Sequence, residues 1–445
     1  VDLRALLVSY SFPPVGGAGV QRVVKLAKYL PHHGVWPAIL TAANPSVPVH
    51  DASLLRDLPR GVEVARARTL EPAYAAKRAA WRAQGTPSVR SWRRSLAARG
   101  VRALSGLASQ ALFPDPQILW QPAALGVLAR RLATRRDDAV LVSGPPFSQF
   151  LLAPLARAGR AAVVLDYRDE WSTTRSAYEM TRSRIARIAG DPLEAALLRH
   201  AHAVVTATDE FRENLLSRFR FLDPGRVFSI PNGYDPDDFA APLPAPAGDR
   251  FVVTYAGTVF SLTSARGLMD AVRALHGRSP EDARHLRLRF VGRIVDTELG
   301  AFDGTEALGV ERVGYVPHEA VLHELAASHM TLCLLDDVPG TQRIYPAKIF
   351  ELMRLGRPIL TLAPPRSALA RLVRAHDLGP VVHPRDTHAI ASALELGLRS
   401  FRERGNAPAT WRKTPGIERY DRRALAGEFA EILKEAARSK GRRAS

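Results

Sequence analysis

Short apolar runs and helical stripes alternate along this chain from its first residues. Leu3–Ser9 contains four consecutive apolar positions, Ala5 to Val8, and predicts a strand. A turn carrying Pro13-Pro14-Val15-Gly16-Gly17-Ala18-Gly19 follows, then an amphipathic helix over Val20–Leu30. Strand-like runs return at Pro37–Thr41, Ala139–Ser143, Ala161–Asp166, Ala203–Thr206 and Val227–Ile230, with helical patterns between the later ones. Such alternation predicts a parallel sheet wrapped by helices on both faces. One wrapping helix is expected to open with Asp191 as N-cap, Pro192 at its first position and Glu194 at its third, burying Leu193, Ala196 and Leu197. After the Pro/Ala-rich stretch Phe239–Gly248, a second alternation supplies strands at Phe251–Ala256, Leu286–Val291, Met330–Leu335, Pro358–Leu362 and Pro380–Val382. A last amphipathic helix is expected over Asp421–Lys440. The fold class read from this pattern is α/β: two doubly wound Rossmann-like domains facing across a cleft, with a C-terminal helix. The expected segments are 1–240, 241–410 and 411–445. Sheets of this kind bind ligands beyond the carboxyl ends of their strands, so chemistry is expected there.

Size agrees with two domains, since 445 residues, 46% of them hydrophobic, exceed one ordinary core. The single cysteine, Cys333, lies in an apolar run, so no intramolecular disulfide forms and a buried strand thiol is expected. No apolar run approaches the roughly 18 residues a membrane span needs, and Asp2 stands where a signal peptide carries positive charge. A cytoplasmic protein is expected. Charge changes the picture more. The net charge is +18, and Arg60–Arg102 alone holds 11 Lys and Arg against Glu63 and Glu71, a net of +9. Tyr74, Trp81 and Trp92 are interleaved with these cations, as in a segment 60–102 lying on an anionic membrane surface, which makes the protein peripheral to the inner face of the membrane. The other reading is a solvated helical hairpin. The tail Ser439–Ser445 is basic as well. A nucleic-acid partner is disfavoured, because no reading motif accompanies the basic patch.

The first glycine-rich turn leads into a helix N-terminus, where bare N–H groups and the positive dipole end suit a phosphate. A dinucleotide fingerprint would need a glycine at position 22, which is Arg22. The second strand also ends in Ala42-Ala43-Asn44, without an acidic residue for a ribose hydroxyl. Asp235-Pro236-Asp237 and Asp336-Asp337 look like metal ligands, but Asp235 belongs to the Asn232-Gly233 turn, where backbone needs favour it. No set of His, Asp and Glu has ligand spacing, so no metal or other cofactor is expected. His202, His318 and His329 read as structural.

At the expected strand ends stand Tyr10-Ser11-Phe12-Pro13-Pro14-Val15-Gly16-Gly17-Ala18-Gly19, Ser143-Gly144-Pro145-Pro146-Phe147 and Asp166-Tyr167-Arg168-Asp169-Glu170-Trp171. Pro231-Asn232-Gly233-Tyr234-Asp235, Tyr255-Ala256-Gly257-Thr258 and Tyr345-Pro346-Ala347-Lys348-Ile349-Phe350-Glu351 follow. In this order and spacing they resemble the retaining, metal-independent family-4 glycosyltransferases of the GT-B fold. The resemblance is to the bacterial branch that builds cell-surface polysaccharide or lipid-linked glycans, and it covers roughly residues 3–400.

The resemblance implies a nucleotide-sugar donor, a UDP-sugar foremost. The block Lys348-x-x-Glu351-x-x-x-x-Gly356-x-Pro358 matches the family's, and its glutamate takes the vicinal ribose hydroxyls. A helix from Pro346 to Gly356 would set Lys348 and Glu351 on one face; the plain alternative is a surface pair worth a few tenths of a kcal/mol. By the same resemblance Gly16 and Gly17 approach the donor phosphates and sugar, and Arg266, before Gly267, holds the diphosphate with Lys348, Arg343 or Arg293. Gly17 and Asp169 are the expected catalytic positions, and Arg168 and Trp171 join Asp169 on the acceptor side. Asp169 serves there as acceptor contact or base, or else Asp166 or Asp169 simply pairs Arg168. Three positions depart from the family: Arg343 replaces a second glutamate, Thr258 an arginine, and Arg168 a histidine. Arg343 is then either a phosphate ligand or a solvated loop arginine.

The expected activity is sugar transfer to the hydroxyl of a lipid-linked glycan or a small secondary metabolite. The alternatives are a catalytically silent sugar-nucleotide-binding or scaffold protein at the membrane surface, and an epimerase or phosphorylase of the same architecture.

Overall fold

A computed structural model describes residues 3–75, 77, 112–173, 184–405 and 413–441. Its contacts divide the chain into two units. The first comprises 1–206, 212–230 and 426–445; the second comprises 207–211 and 231–425.

The first unit is built on a seven-stranded sheet with strand order β3-β2-β1-β4-β5-β6-β7. The strands are β1 Leu3–Val8, β2 Val35–Ala42, β3 Val64–Ala67, β4 Ala139–Gly144, β5 Ala162–Tyr167, β6 Ala203–Thr206 and β7 Val227–Ser229. Every pairing is parallel. Leu6, Val140, Leu141, Val163 and Val164 are wholly buried, as continuous apolar strands must be when both faces are covered. The helix Ala18–Tyr29 returns the chain from β1 to β2, and Gln121–Ala133 leads into β4. Order reverses between β1 and β4, which makes their carboxyl ends the switch point of this sheet.

The second unit repeats the plan with six parallel strands in the order β10-β9-β8-β11-β12-β13. They are β8 Phe251–Ala256, β9 Leu286–Val291, β10 Val310–Gly314, β11 Met330–Leu334, β12 Ile359–Leu362 and β13 Val381–Val382. Alternate residues of β11 enter different cores, as the two-residue strand period requires. Leu332 and Leu334 pack with Leu268, Val272, Leu394 and Phe401, whereas Cys333 packs with Ile349, Phe350 and Leu352. Burial pushes the Cys333 thiol up to about 12. The switch point here lies between β8 and β11.

Two expectations are corrected. Strands β3 and β10 were not anticipated. The helix expected to begin at Asp191 runs instead over Arg184–Leu198, with Pro192 inside it. It buries Leu197 and Leu198 while Ala196 is exposed. By contacts, the Pro/Ala-rich stretch Phe239–Gly248 groups with the second unit. Just before it, the Tyr234 N–H donates to Tyr420 O at 3.0 Å and the Arg422 N–H donates to Tyr234 O at 3.0 Å, tying the residues that lead into this stretch to the unit's C-terminal residues. The last helix, Arg422–Gly441, is grouped with the first unit from Ala426 onward.

Residues 76 and 78–102 of the basic segment, with Trp81 and Trp92, lie outside the described residues, as do 442–445 of the tail. In the part that is described, Arg66 donates to Pro13 O at 2.8 Å and Lys77 pairs with Glu71, so these two cations serve the fold. Among the described residues no helix is long and apolar enough to cross a membrane.

His329 keeps the structural place read for it. Its Nδ1 accepts the Val252 N–H at 3.1 Å, and its ring meets Phe401 edge to face. Burial, then Arg357 and Arg404, lower its pKa from 6.5 to about 4. The unfolded chain therefore binds a proton that the folded chain refuses as pH falls from 6.5 to about 4. Stability from this site is complete above 6.5 and shrinks through that window, by about 3 kcal/mol in all. Urea denaturation of the wild type and His329→Asn at pH 7, 5.5 and 4 should show their stability difference shifting by this amount in favour of the variant. A constant difference refutes the assignment.

Candidate active site

In the first unit the turn after β1 is shaped by Gly17, whose φ of 98° a side chain would strain. As the N-cap of the helix Ala18–Tyr29, Gly17 brings no side chain to the first-turn N–H groups, of which that of Val20 donates to Gly17 O at 3.4 Å. The Gly16 N–H is occupied, donating to Val49 O at 3.1 Å. Beneath the turn, Arg22 reaches from the helix to Asp166 at the end of β5. Its Nη2 lies 2.8 Å from Oδ1 and its Nε 3.1 Å from Oδ2. Ser143 Oγ donates to the same carboxylate at 2.6 Å, and Arg22 Nη2 also donates to Ile230 O at 2.9 Å. The residue that breaks the dinucleotide fingerprint is thus a buried strut.

This answers the open question about Arg168. Asp166 pairs Arg22, and the Arg168 guanidinium donates to the carbonyls of Gly19 and Pro145, with Nε reaching Gly144 O at 3.2 Å. Arg168 therefore binds the glycine-rich turn to the end of β4, across the switch point. Asp169 is exposed and, among the described residues, makes no side-chain hydrogen bond. Surrounding protein mass raises its pKa, with Arg168 and then Arg22 pulling the other way. Such a carboxyl is open to an incoming hydroxyl. Trp171, expected on the acceptor side, is buried, stacked on Phe147 at 4.9 Å within an aromatic group that includes Phe150 and Tyr167. Its place is in the core.

In the second unit the helix Ile349–Leu355 starts three residues after the expected Pro346 and ends, as expected, at Gly356. Lys348 stands just before it and donates to Glu351 Oε2 at 2.9 Å. Glu351 is only 3% exposed, so this is no surface pair. Burial pushes its carboxyl up, but Lys348, then His318 and Arg422, outweigh burial and hold it below the usual range. His318, read from sequence as structural, opens the helix His318–Ala326 and sets Nε2 3.8 Å from Glu351 Oε1 and 3.2 Å from Asp238 Oδ2. Neither His318 nor Asp238 carries a local signal of this grouping, which joins residues far apart in the chain.

Arg266 opens the helix Arg266–Arg278. Its guanidinium is engaged by Glu298 at 3.3 Å and by Thr297 O, and no hydrogen bond or ion pair joins it to Lys348 or Glu351 among the described residues. The next residue, Gly267, lies so close to the backbone just after β13 that a Cβ there would stand 2.0 Å from Pro384 O. Arg343 uses its carbonyl to accept Thr208 Oγ1 at 2.7 Å. The acidic pairs have backbone roles: Asp235 accepts the Asp237 N–H at 3.0 Å, and Asp336 accepts the Asp337 N–H at 2.7 Å. Among the described residues no group of three or more His, Cys, Asp or Glu is placed to hold a metal ion.

The sequence profile of glycosyltransferase family 4 matches residues 15–238, half of the chain, and the chain belongs to that family. No curated protein sequence matches it. Solved structures share its fold at low identity. Anabaena HepE, in complex with UDP and glucose, is 14% identical, with 97% of this chain and 99% of that one covered at a TM-score of 0.63. The N-terminal domain of Candida albicans trehalose-6-phosphate phosphatase is 11% identical, with 98% and 97% covered at 0.61. A mutant of S. aureus TarM, in complex with Fondaparinux, alpha-GlcNAc-glycerol and UDP, is 9% identical, with 97% and 99% covered at 0.58. The protein is a glycosyltransferase with two Rossmann-like domains and a C-terminal helix.

Two substitutions test the supports of this site. Arg22→Met leaves Asp166 buried without its cation and should cost about 3–5 kcal/mol in urea denaturation; a loss under about 1 kcal/mol contradicts the strut. Gly267→Ala forces a methyl against the Pro384 carbonyl and should cost about 1–3 kcal/mol, read as a lower melting temperature.

Proposed function

We propose that the protein transfers a sugar from a UDP-sugar to an acceptor hydroxyl, with retention at the anomeric carbon and without a catalytic metal. The observation that carries this is Glu351: a buried carboxylate held ionised by Lys348, with Oε1 accepting no hydrogen bond among the described residues. Vicinal ribose hydroxyls are the donors that complete it. HepE and TarM were solved with UDP, which favours uridine as the base.

In this reading Lys348, Arg343 and Arg266 face the diphosphate. Fixed cations stabilise charge on a leaving phosphate without reorganising as the glycosidic bond breaks. The C1–O bond to phosphate breaks, the acceptor oxygen bonds C1, and the acceptor proton passes to Asp169. The turn Gly16-Gly17 brings the N-terminus of the helix Ala18–Tyr29, whose N-cap has no side chain, to the donor. A lipid-linked glycan is the favoured acceptor, with the enzyme in the cytoplasm at the inner membrane face; the +9 charge of Arg60–Arg102 supports this. A small metabolite is the second choice.

Thermal denaturation against UDP, GDP, dTDP and ADP, alone and as common sugar conjugates, tests the donor. A ligand at about 100 times its Kd adds about 2.7 kcal/mol of stability. UDP or a UDP-sugar should raise the melting temperature of wild type and not that of Glu351→Ala. Equal stabilisation of the two would remove the anchor of this reading. Binding without glycosyl transfer to any acceptor, including water, would favour a silent sugar-nucleotide-binding protein.

A further inference from the structure

Glu351 is fixed on one side only by its near neighbour. Lys348, three residues away, occupies Oε2 at 2.9 Å. Oε1, the oxygen left for a ligand, faces His318 Nε2 at 3.8 Å, beyond hydrogen-bond reach. The same Nε2 lies 3.2 Å from Asp238 Oδ2. Both flanking side chains are nearly inaccessible, His318 at 7% and Asp238 at 11%. The imidazole is therefore clamped by one carboxylate while lying beside another, in a part of the unit where water screens little.

We propose that His318, gripped by Asp238, is the positioning residue for Glu351: it fixes Oε1 in the orientation that receives the ribose 2′- and 3′-hydroxyls. This rests on the reading of Glu351 as the ribose ligand. The physical argument is directional. A glutamate held at one oxygen still turns about its last torsion, which is broad for a terminal carboxylate. The nearby Nε2 favours the rotamer that brings Oε1 towards it, and Asp238 keeps that attraction at a fixed point.

The test is discrimination between UDP and 2′-deoxy-UDP by isothermal titration calorimetry, on wild type, His318→Leu, His318→Gln, Asp238→Ala and Glu351→Ala. A hydrogen bond to a charged group is worth about tenfold or more in affinity, so wild type should prefer UDP by about that factor. His318→Leu and Asp238→Ala should bind both nucleotides alike, with 2′-deoxy-UDP affinity near the wild-type value. His318→Gln, which keeps an N–H donor, should recover part of the preference. A merely structural role would weaken both nucleotides together and leave their ratio intact. Full discrimination in His318→Leu with loss in Glu351→Ala overturns the proposal and spares the ribose site. Discrimination retained in Glu351→Ala, or no binding of UDP to wild type, removes the ribose site and this proposal with it. If His318→Leu does not fold, as judged by its melting curve, Asp238→Ala decides by the same ratio.

Discussion

Burying a guanidinium and a carboxylate together costs several kcal/mol of hydration per ion, and the fold recovers it only where every donor and acceptor is matched. Arg22 and Asp166 meet that condition. The pair is bidentate, Ser143 supplies a third donor to the carboxylate, and Ile230 O takes a remaining guanidinium proton. Phe429 covers the guanidinium at 4.9 Å. This one group locks the first helix to the ends of β4 and β5 and to the residue after β7. The glycine-rich turn, directly before that helix, inherits its position. Arg168 then adds the second constraint by holding the carbonyls of Gly19 and Pro145. The strand-end rim of the first unit is thus set by two arginines whose guanidinium groups are taken up by the fold itself.

Much of this was legible because parallel strands buried on both faces are written as unbroken apolar runs. Leu3–Ser9, Phe251–Ala256 and Leu286–Val291 were read to within a residue. The two missed strands are both at sheet edges. Val64–Ala67 carries Arg66, and Val310–Gly314 carries Glu311 and Arg312, because an edge strand meets solvent and pairs charge there, as Arg289 does with Glu311 at 3.0 Å. Asp191-Pro192 imitated a helix start that the tertiary contacts of Glu194 with Arg218 and of Leu197 override. At the site, Lys348 and Glu351 were visible because the block Lys348-x-x-Glu351-x-x-x-x-Gly356-x-Pro358 resembles the family's. His318 and Asp238 were not, since 33 and 113 positions separate them from Glu351 and only the folded sheet brings them together. Trp171 illustrates the reverse error, in which an aromatic beside polar turn residues serves packing.

Family membership and fold explain why departures at three positions leave the architecture unchanged. Thr258 and Arg168 follow strands β8 and β5 and Arg343 ends the short 3-10 helix Thr341–Arg343, all outside the strands, where a side chain alters surface contacts without disturbing the sheet. Arg168 shows how such a substitution can even be absorbed into the frame. Arg266 shows a cation already engaged, with Glu298 as its partner, so any anion it meets competes with an existing bond.

Cys333 has a practical meaning. It is the one thiol in 445 residues, it lies within β11, and its thiolate is disfavoured until about pH 12. Reagents that attack thiolates find almost nothing to react with on the native chain. A cysteine engineered on the surface becomes the sole addressable handle, so fluorophore pairs, spin probes or surface tethers attach at chosen positions without first removing a native residue from the core.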